Sequence, residues 1–303
     1  MRSGFVPFIF FANYFVGMLA VALSVETVMQ LDLPFASPAY YILLFAATVM
    51  YYTHAYTGAT KSAVSANPRT EWYRTHAPFI AKGQKVLLIV CLLAAAYLLA
   101  KNSSGLFSLP LLYWVLLGSI PLAALLYYGL LPSAFNLRHT GWLKALVIGF
   151  VWAGSVSFLP VVMAKVEHGT AVHEAAFMQW LFIKNWVFCT VNAIMFDIKD
   201  YEDDNNIQLK TFVVRFGLQK TIFFILIPVL LIGIIALLIF THYKNFSGIV
   251  IGLNLLPFIS LLYVAYSLQK PKKILYYLIV IDGLLFIKAL CGIGGILYLN
   301  YCC

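Results

Sequence analysis

Nine long apolar stretches restrict what this chain can become. They run roughly over residues 5–25, 38–56, 84–100, 107–130, 143–164, 175–196, 221–241, 247–267 and 274–299, and about 20 apolar residues in helical form cross a hydrocarbon core. In hydrocarbon every backbone N–H and C=O must find its partner inside the protein, which leaves helices and closed barrels as spanning structures. A barrel would show short segments of alternating polarity rather than continuous apolar runs. The sequence therefore predicts an all-α polytopic membrane protein of about nine transmembrane helices in one bundle, with residues 1–303 forming a single membrane-embedded domain. With 63% hydrophobic and 10% charged residues, the chain has too little polar surface to cover itself in water. The first stretch lacks a short apolar core followed by small residues suited to cleavage, so it is expected to be a retained helix, not a signal peptide.

The basic residues orient the bundle. Fifteen of the twenty Lys and Arg precede the first stretch or fall in loops on one side, against three on the other, Lys101, Lys165 and Lys244. This asymmetry puts the N-terminus and a polar cap of three long loops (57–83, 131–142 and 197–220) in the cytoplasm and the C-terminus outside. It also accounts for most of the net charge of +9, so the lipid bilayer is the expected partner and nucleic acid is not. Lys184 and Lys288 fall inside apolar stretches. Lys184, nearer the outer half, is expected to snorkel. Asp282 and Lys288, six apart, fall on different helix faces and are not expected to pair. Cys91, Cys189 and Cys291 read as small buried hydrophobes, and no cysteine spacing suggests zinc.

Negative charge is scarce and concentrated. Five of the eleven acidic residues fall in Asp197-Ile-Lys-Asp200-Tyr-Glu-Asp-Asp204, directly after the apolar Trp186 to Phe196. Spacings of three, four and seven put Asp197, Asp200 and Asp204 on one helical face. Carboxylates gathered this way repel unless water or a cation screens them, and a divalent cation such as Mg2+ binds through one or two carboxylates while keeping other sites for water or phosphate. Lys210 and Arg215 follow in Lys210-Thr-Phe-Val-Val-Arg215-Phe-Gly217 and suit exposed phosphate oxygens. Asn192 lies about a turn and a half before Asp197 and is expected to face the same cavity.

The run from Phe196 through Asp204, followed by Lys210-Thr211 and Gly217, resembles the second aspartate-rich motif of the UbiA-type intramembrane prenyltransferases, with Val213 where that pattern carries proline. Tyr127-Tyr-Gly through Phe135-Asn-Leu-Arg138-His-Thr-Gly-Trp-Leu-Lys144 resembles the loop of that family in which a basic residue contacts diphosphate. The resemblance implies nine helices and a Mg2+-assisted transfer of an isoprenyl group. The donor would be a polyprenyl diphosphate and the acceptor an aromatic or other lipophilic molecule, as in quinone biosynthesis. It implies Asp197, Asp200 and Asp204 as catalytic metal ligands. Arg138, Lys144, Lys210, Arg215, Arg69 and Arg74 would bind diphosphate.

The family's first aspartate-rich motif, expected after the second helix, is missing: no Asp occurs between Asp32 and Asp197. Near that position only His54, Asn67 and Glu71 offer polar ligands, with Arg69 and Arg74 as nearby cations. Either one carboxylate cluster suffices for catalysis, or the chain is a degenerate member that binds a prenyl lipid or quinone, or partners an active enzyme. If chemistry survives, Tyr51, Tyr52, Tyr56, Trp152 and Phe196 are the aromatic walls expected to face a developing allylic cation.

Overall fold

The computed structural model describes residues 5–57, 68–128, 141–170, 175–201, 209–270 and 272–302. All regular structure among them is helical: α1 Phe5–Phe11, α2 Tyr14–Gln30, α3 Pro38–Thr57, α4 Pro68–Thr75, α5 Ala77–Phe107 and α6 Leu111–Tyr128, then α7 Trp142–His168, α8 Ala175–Lys199, α9 Phe212–Phe216, α10 Leu218–Tyr243, α11 Gly248–Ser267 and α12 Ile274–Tyr301. Six described helices are long and apolar enough to cross a membrane: α5, α7, α8, α10, α11 and α12. Tyr14–Gln30 and Leu111–Tyr127 are shorter apolar helices. The protein is an integral membrane protein.

Two expectations are corrected. The first apolar stretch is not one helix: Asn13, at φ 64°, interrupts it between α1 and α2, a left-handed conformation that asparagine tolerates better than most residues. The polar stretch 57–83 is not one loop, because Pro68 opens α4 and α5 already begins at Ala77. Proline at a helix start loses no hydrogen bond there and presets φ.

Three helices widen into a π turn, at Gly154–Phe158, Ile222–Leu226 and Tyr277–Ile281. Pro160 and Pro228 follow the first two, and a proline that cannot donate to the preceding turn is a known cause of such local unwinding. The third has no proline; its Ile281 carbonyl accepts a hydrogen bond from Asn192 Nδ2 at 2.8 Å instead.

The helices pack in a ring. α3 lies on α2, α2 on α12, α12 on α11, α11 on α10, α10 on α8, α8 on α7 and α7 on α6, while the π turn of α7 touches α2. Away from the polar end, α2, α8, α11 and α12 are joined by buried polar groups. Lys288 Nζ is 2.6 Å from Glu26 Oε2, and Lys184 Nζ is 3.6 Å from Glu26 Oε1 while donating to Gln30 Oε1 at 2.8 Å. Gln30 Nε2 donates to Asn254 Oδ1 at 2.9 Å. Lys184 is thus buried and paired, not snorkelling, because Glu26 and Gln30 supply the partners that the outer interface would otherwise provide. Gly292 makes this approach feasible: a Cβ there would lie 2.6 Å from the Glu26 side chain.

Candidate functional site

The ring encloses a cavity of about 820 Å³. On α3 it is lined by Tyr40, Leu43, Leu44, Ala47, Thr48, Tyr51, Tyr52 and Tyr56, whose three- and four-residue steps describe one continuous helix face. All five aromatic residues expected from sequence to form its walls, Tyr51, Tyr52, Tyr56, Trp152 and Phe196, line it. The Tyr52 and Trp152 rings lie 6.1 Å apart, and the Trp152 indole N–H donates to the Tyr52 hydroxyl.

One end of the cavity is charged. Asp197 lies in the last turn of α8, and Asp200 follows just past the helix end, its N–H still bonded to the Phe196 carbonyl at 3.2 Å. Both line the cavity with Lys144, Lys199 and Arg69. Lys144 Nζ is 2.8 Å from Asp197 Oδ1, and Lys199 Nζ is 2.6 Å from Asp200 Oδ1. Asp197 is 1% exposed, and a carboxylate so buried needs such a partner. Gly141, at φ 59° ahead of α7, packs on the Lys210 carbonyl so closely that no Cβ would fit, which brings the start of α7 against the segment that follows the acidic run.

Arg69 lines the cavity as well. Although 5% exposed, it is held on all sides: Nε and Nη2 donate to the Phe11 carbonyl, Nη2 donates to Asn13 Oδ1, and Nη1 donates to the Tyr56 hydroxyl. The guanidinium also lies 4.0 Å from the Tyr56 ring centroid. Tyr73 donates to the same Phe11 carbonyl at 2.9 Å, and burial pushes its phenol up from the ordinary value, against the opposing field of Arg69. Arg69 thereby caps α1, whose C-terminal carbonyls attract cations.

Of the residues singled out from sequence, Asp197, Asp200, Lys144, Arg69 and Asn192 meet on one cavity. Asn192 serves it through the Ile281 carbonyl. Glu71 and Arg74 pair with each other at 2.9 Å on the exposed surface and do not line the cavity. Lys210 and Arg215 are exposed, with the Arg215 guanidinium 5.2 Å from the Phe216 ring. His54 is exposed as well. Asp204, Arg138 and Asn67 lie outside the described residues. Lys199 and Asp282, neither of them among the expected site residues, also line the cavity. Lys199 sits inside the acidic run and was legible there; Asp282 carried no motif.

Carboxylate oxygens suit a hard divalent cation, and Asp197 and Asp200 are of the right chemistry. Among the described residues no three His, Cys, Asp or Glu side chains form a group able to hold one, so the described residues supply Asp197 and Asp200 alone, and Asp204 lies outside them.

An all-α membrane bundle with a charged pocket at one end of an aromatic-walled cavity defines the class. The model of the UbiA prenyltransferase family matches residues 65–279, and the chain belongs to that family. A solved structure of a digeranylgeranylglyceryl phosphate synthase superposes with a TM-score of 0.56 at 14% identity, covering 95% of this chain and 97% of that one; the two share a fold. No curated protein sequence matches the chain.

Proposed function

We propose that the protein transfers an isoprenyl group from a polyprenyl diphosphate to an aromatic or other lipophilic acceptor within the membrane. The observation that carries this is the meeting of Asp197, Asp200, Lys144, Lys199 and Arg69 at the end of an apolar, aromatic-walled cavity. An isoprenyl diphosphate has the matching division: a multiply charged head and a hydrocarbon tail. Mg2+ on Asp197 and Asp200, with Asp204 a further candidate, would supply charge neutralisation of the leaving diphosphate. Lys144 and Lys199 are poised to exchange their carboxylate partners for phosphate oxygens, and Arg69 adds a fixed positive potential from the same cavity. Tyr52, Trp152 and Phe196 present ring faces to the allylic carbon as it becomes cationic, each contributing about 0.5–2 kcal/mol. The polar end is assigned to the cytoplasmic side by the charge asymmetry of the loops.

The test is Mg2+-dependent diphosphate release from geranylgeranyl diphosphate in nanodiscs, comparing wild type with Asp200→Asn. Release by wild type that collapses in the variant is expected. No release by folded wild type, across donor lengths, would sink the transferase reading. It would favour a second reading that the two lysine–carboxylate pairs also suit, a lipid-binding member whose acidic residues are internally neutralised.

A further inference from the structure

One buried acid on the cavity wall is absorbed by none of the roles above. Asp282 is 8% exposed and lines the cavity from α12, flanked at helical spacing by Leu278 and Leu285, which line it too. No hydrogen bond or ion pair holds its carboxylate among the described residues; the charges that act on it are Arg69 and Lys199. A buried carboxylate left without a partner is costly, and one aimed into a cavity is the kind that a ligand's O–H or N–H group satisfies. Its position is fixed by the adjoining π turn, whose Ile281 carbonyl is tied to Asn192 of α8. Such turns are frequent at functional sites. One helical turn past Asn192, Phe196 also lines the cavity and packs on Tyr277, the two rings 6.3 Å apart. Asp282 does not join Asp197 and Asp200 as a third ligand of one metal, since no such group of three exists among the described residues.

We infer that Asp282 is the acceptor-side carboxylate: it accepts the hydrogen bond of a phenolic hydroxyl and then its proton. The assignment rests on the transferase reading and specifies its acceptor as an aromatic ring that carries an acidic O–H. In balance, the allylic C–O bond breaks and its electron pair leaves with diphosphate. An ortho or para ring carbon forms the new C–C bond. The phenolic proton passes to an Asp282 oxygen, and the resulting dienone regains aromaticity when its ring C–H proton moves to oxygen.

The experiment uses the full chain in nanodiscs with 1-naphthol as the phenolic probe, followed by its fluorescence, alongside Mg2+-dependent diphosphate release from geranylgeranyl diphosphate. Asp282→Asn is expected to weaken naphthol binding by about tenfold or more, the loss of a hydrogen bond to a charged group, while a thermal transition close to that of wild type reports an intact fold. Asp282→Glu should recover part of the binding. Prenylated naphthol should fall by about a hundredfold or more in Asp282→Asn. Naphthol binding that is absent in wild type or unchanged in Asp282→Asn overturns the inference. So does loss of diphosphate release together with binding, which would make Asp282 part of the leaving-group machinery. Binding that depends on Asp282 in a wild type that releases no diphosphate overturns the transferase reading alone and leaves a phenol-binding site.

Discussion

Lys144 Nζ sits 2.8 Å from Asp197 Oδ1, so the first turn of α7 and the last turn of α8 meet through opposite charges at the cavity's polar end. A cation draws on the carboxylate and a diphosphate draws on the ammonium, so the pair would divide between two ligands of opposite sign. Replacing Lys144 with Met should therefore separate the two affinities. The concentration of geranylgeranyl diphosphate giving half-maximal release should rise by about tenfold or more, one hydrogen bond to a charged group, while the Mg2+ requirement falls. Titrating release against each ligand in turn checks this; parallel shifts in both would contradict it.

Asp197→Asn should keep the fold and lower diphosphate release by about a hundredfold or more, the scale of losing one preorganised electrostatic partner. Chelation of divalent ions should abolish release in wild type, and added Mg2+ should restore it. Release that persists in excess chelator would exclude a metal-assisted leaving group.

Among the described residues Glu26 is the carboxylate that pairs with both Lys184 and Lys288. Glu26→Gln leaves two buried ammonium groups without a counter-charge and should cost about 3–5 kcal/mol of stability. The thermal transition in detergent should fall accordingly. Adding Lys288→Met to that variant should recover part of the loss, and no recovery would argue against a charge effect.

Arg69 and Arg74 lie five residues apart and should behave oppositely. Arg69→Lys loses the fork that binds Phe11, Asn13 and Tyr56, and should destabilise the junction of α1 and α2 by about 2–3 kcal/mol, as expected when hydrogen bonds to a buried charge are lost. Arg74→Ala removes an exposed pair with Glu71 and should change stability by about 0.5 kcal/mol or less. Melting curves of the two variants, with diphosphate release as a second readout, decide the contrast.

The apolar runs made the helical bundle legible, because the bilayer's demand for internal backbone hydrogen bonds acts on stretches of sequence and not on single residues. The acidic run was legible for a related reason: in a chain this poor in charge, five acids together stand out. What escaped was pairing across distant helices. Nothing local to Glu26 announces that Lys184 and Lys288 converge on it, and nothing local to Asp282 says which way it faces. The break at Asn13 was hidden too, since its cause is the set of partners Thr53, Arg69 and Tyr73 gathered from two other helices. The Arg69 position was within reach of sequence as a nearby cation, but its use as a helix cap was not.

The cavity face of α3 runs unbroken from Tyr56 to Tyr40, about 24 Å at the helical rise per residue. At the far end Tyr40 is buried, its hydroxyl 3.2 Å from Ser24 Oγ. On the proposed reading, a hydrocarbon tail whose charged head sits near Tyr56 and Arg69 would run along this face toward the Tyr40 hydroxyl, and the bundle would act as a gauge: the length of α3 would set which chains lie fully inside and which must bend aside or leave between helices into the lipid.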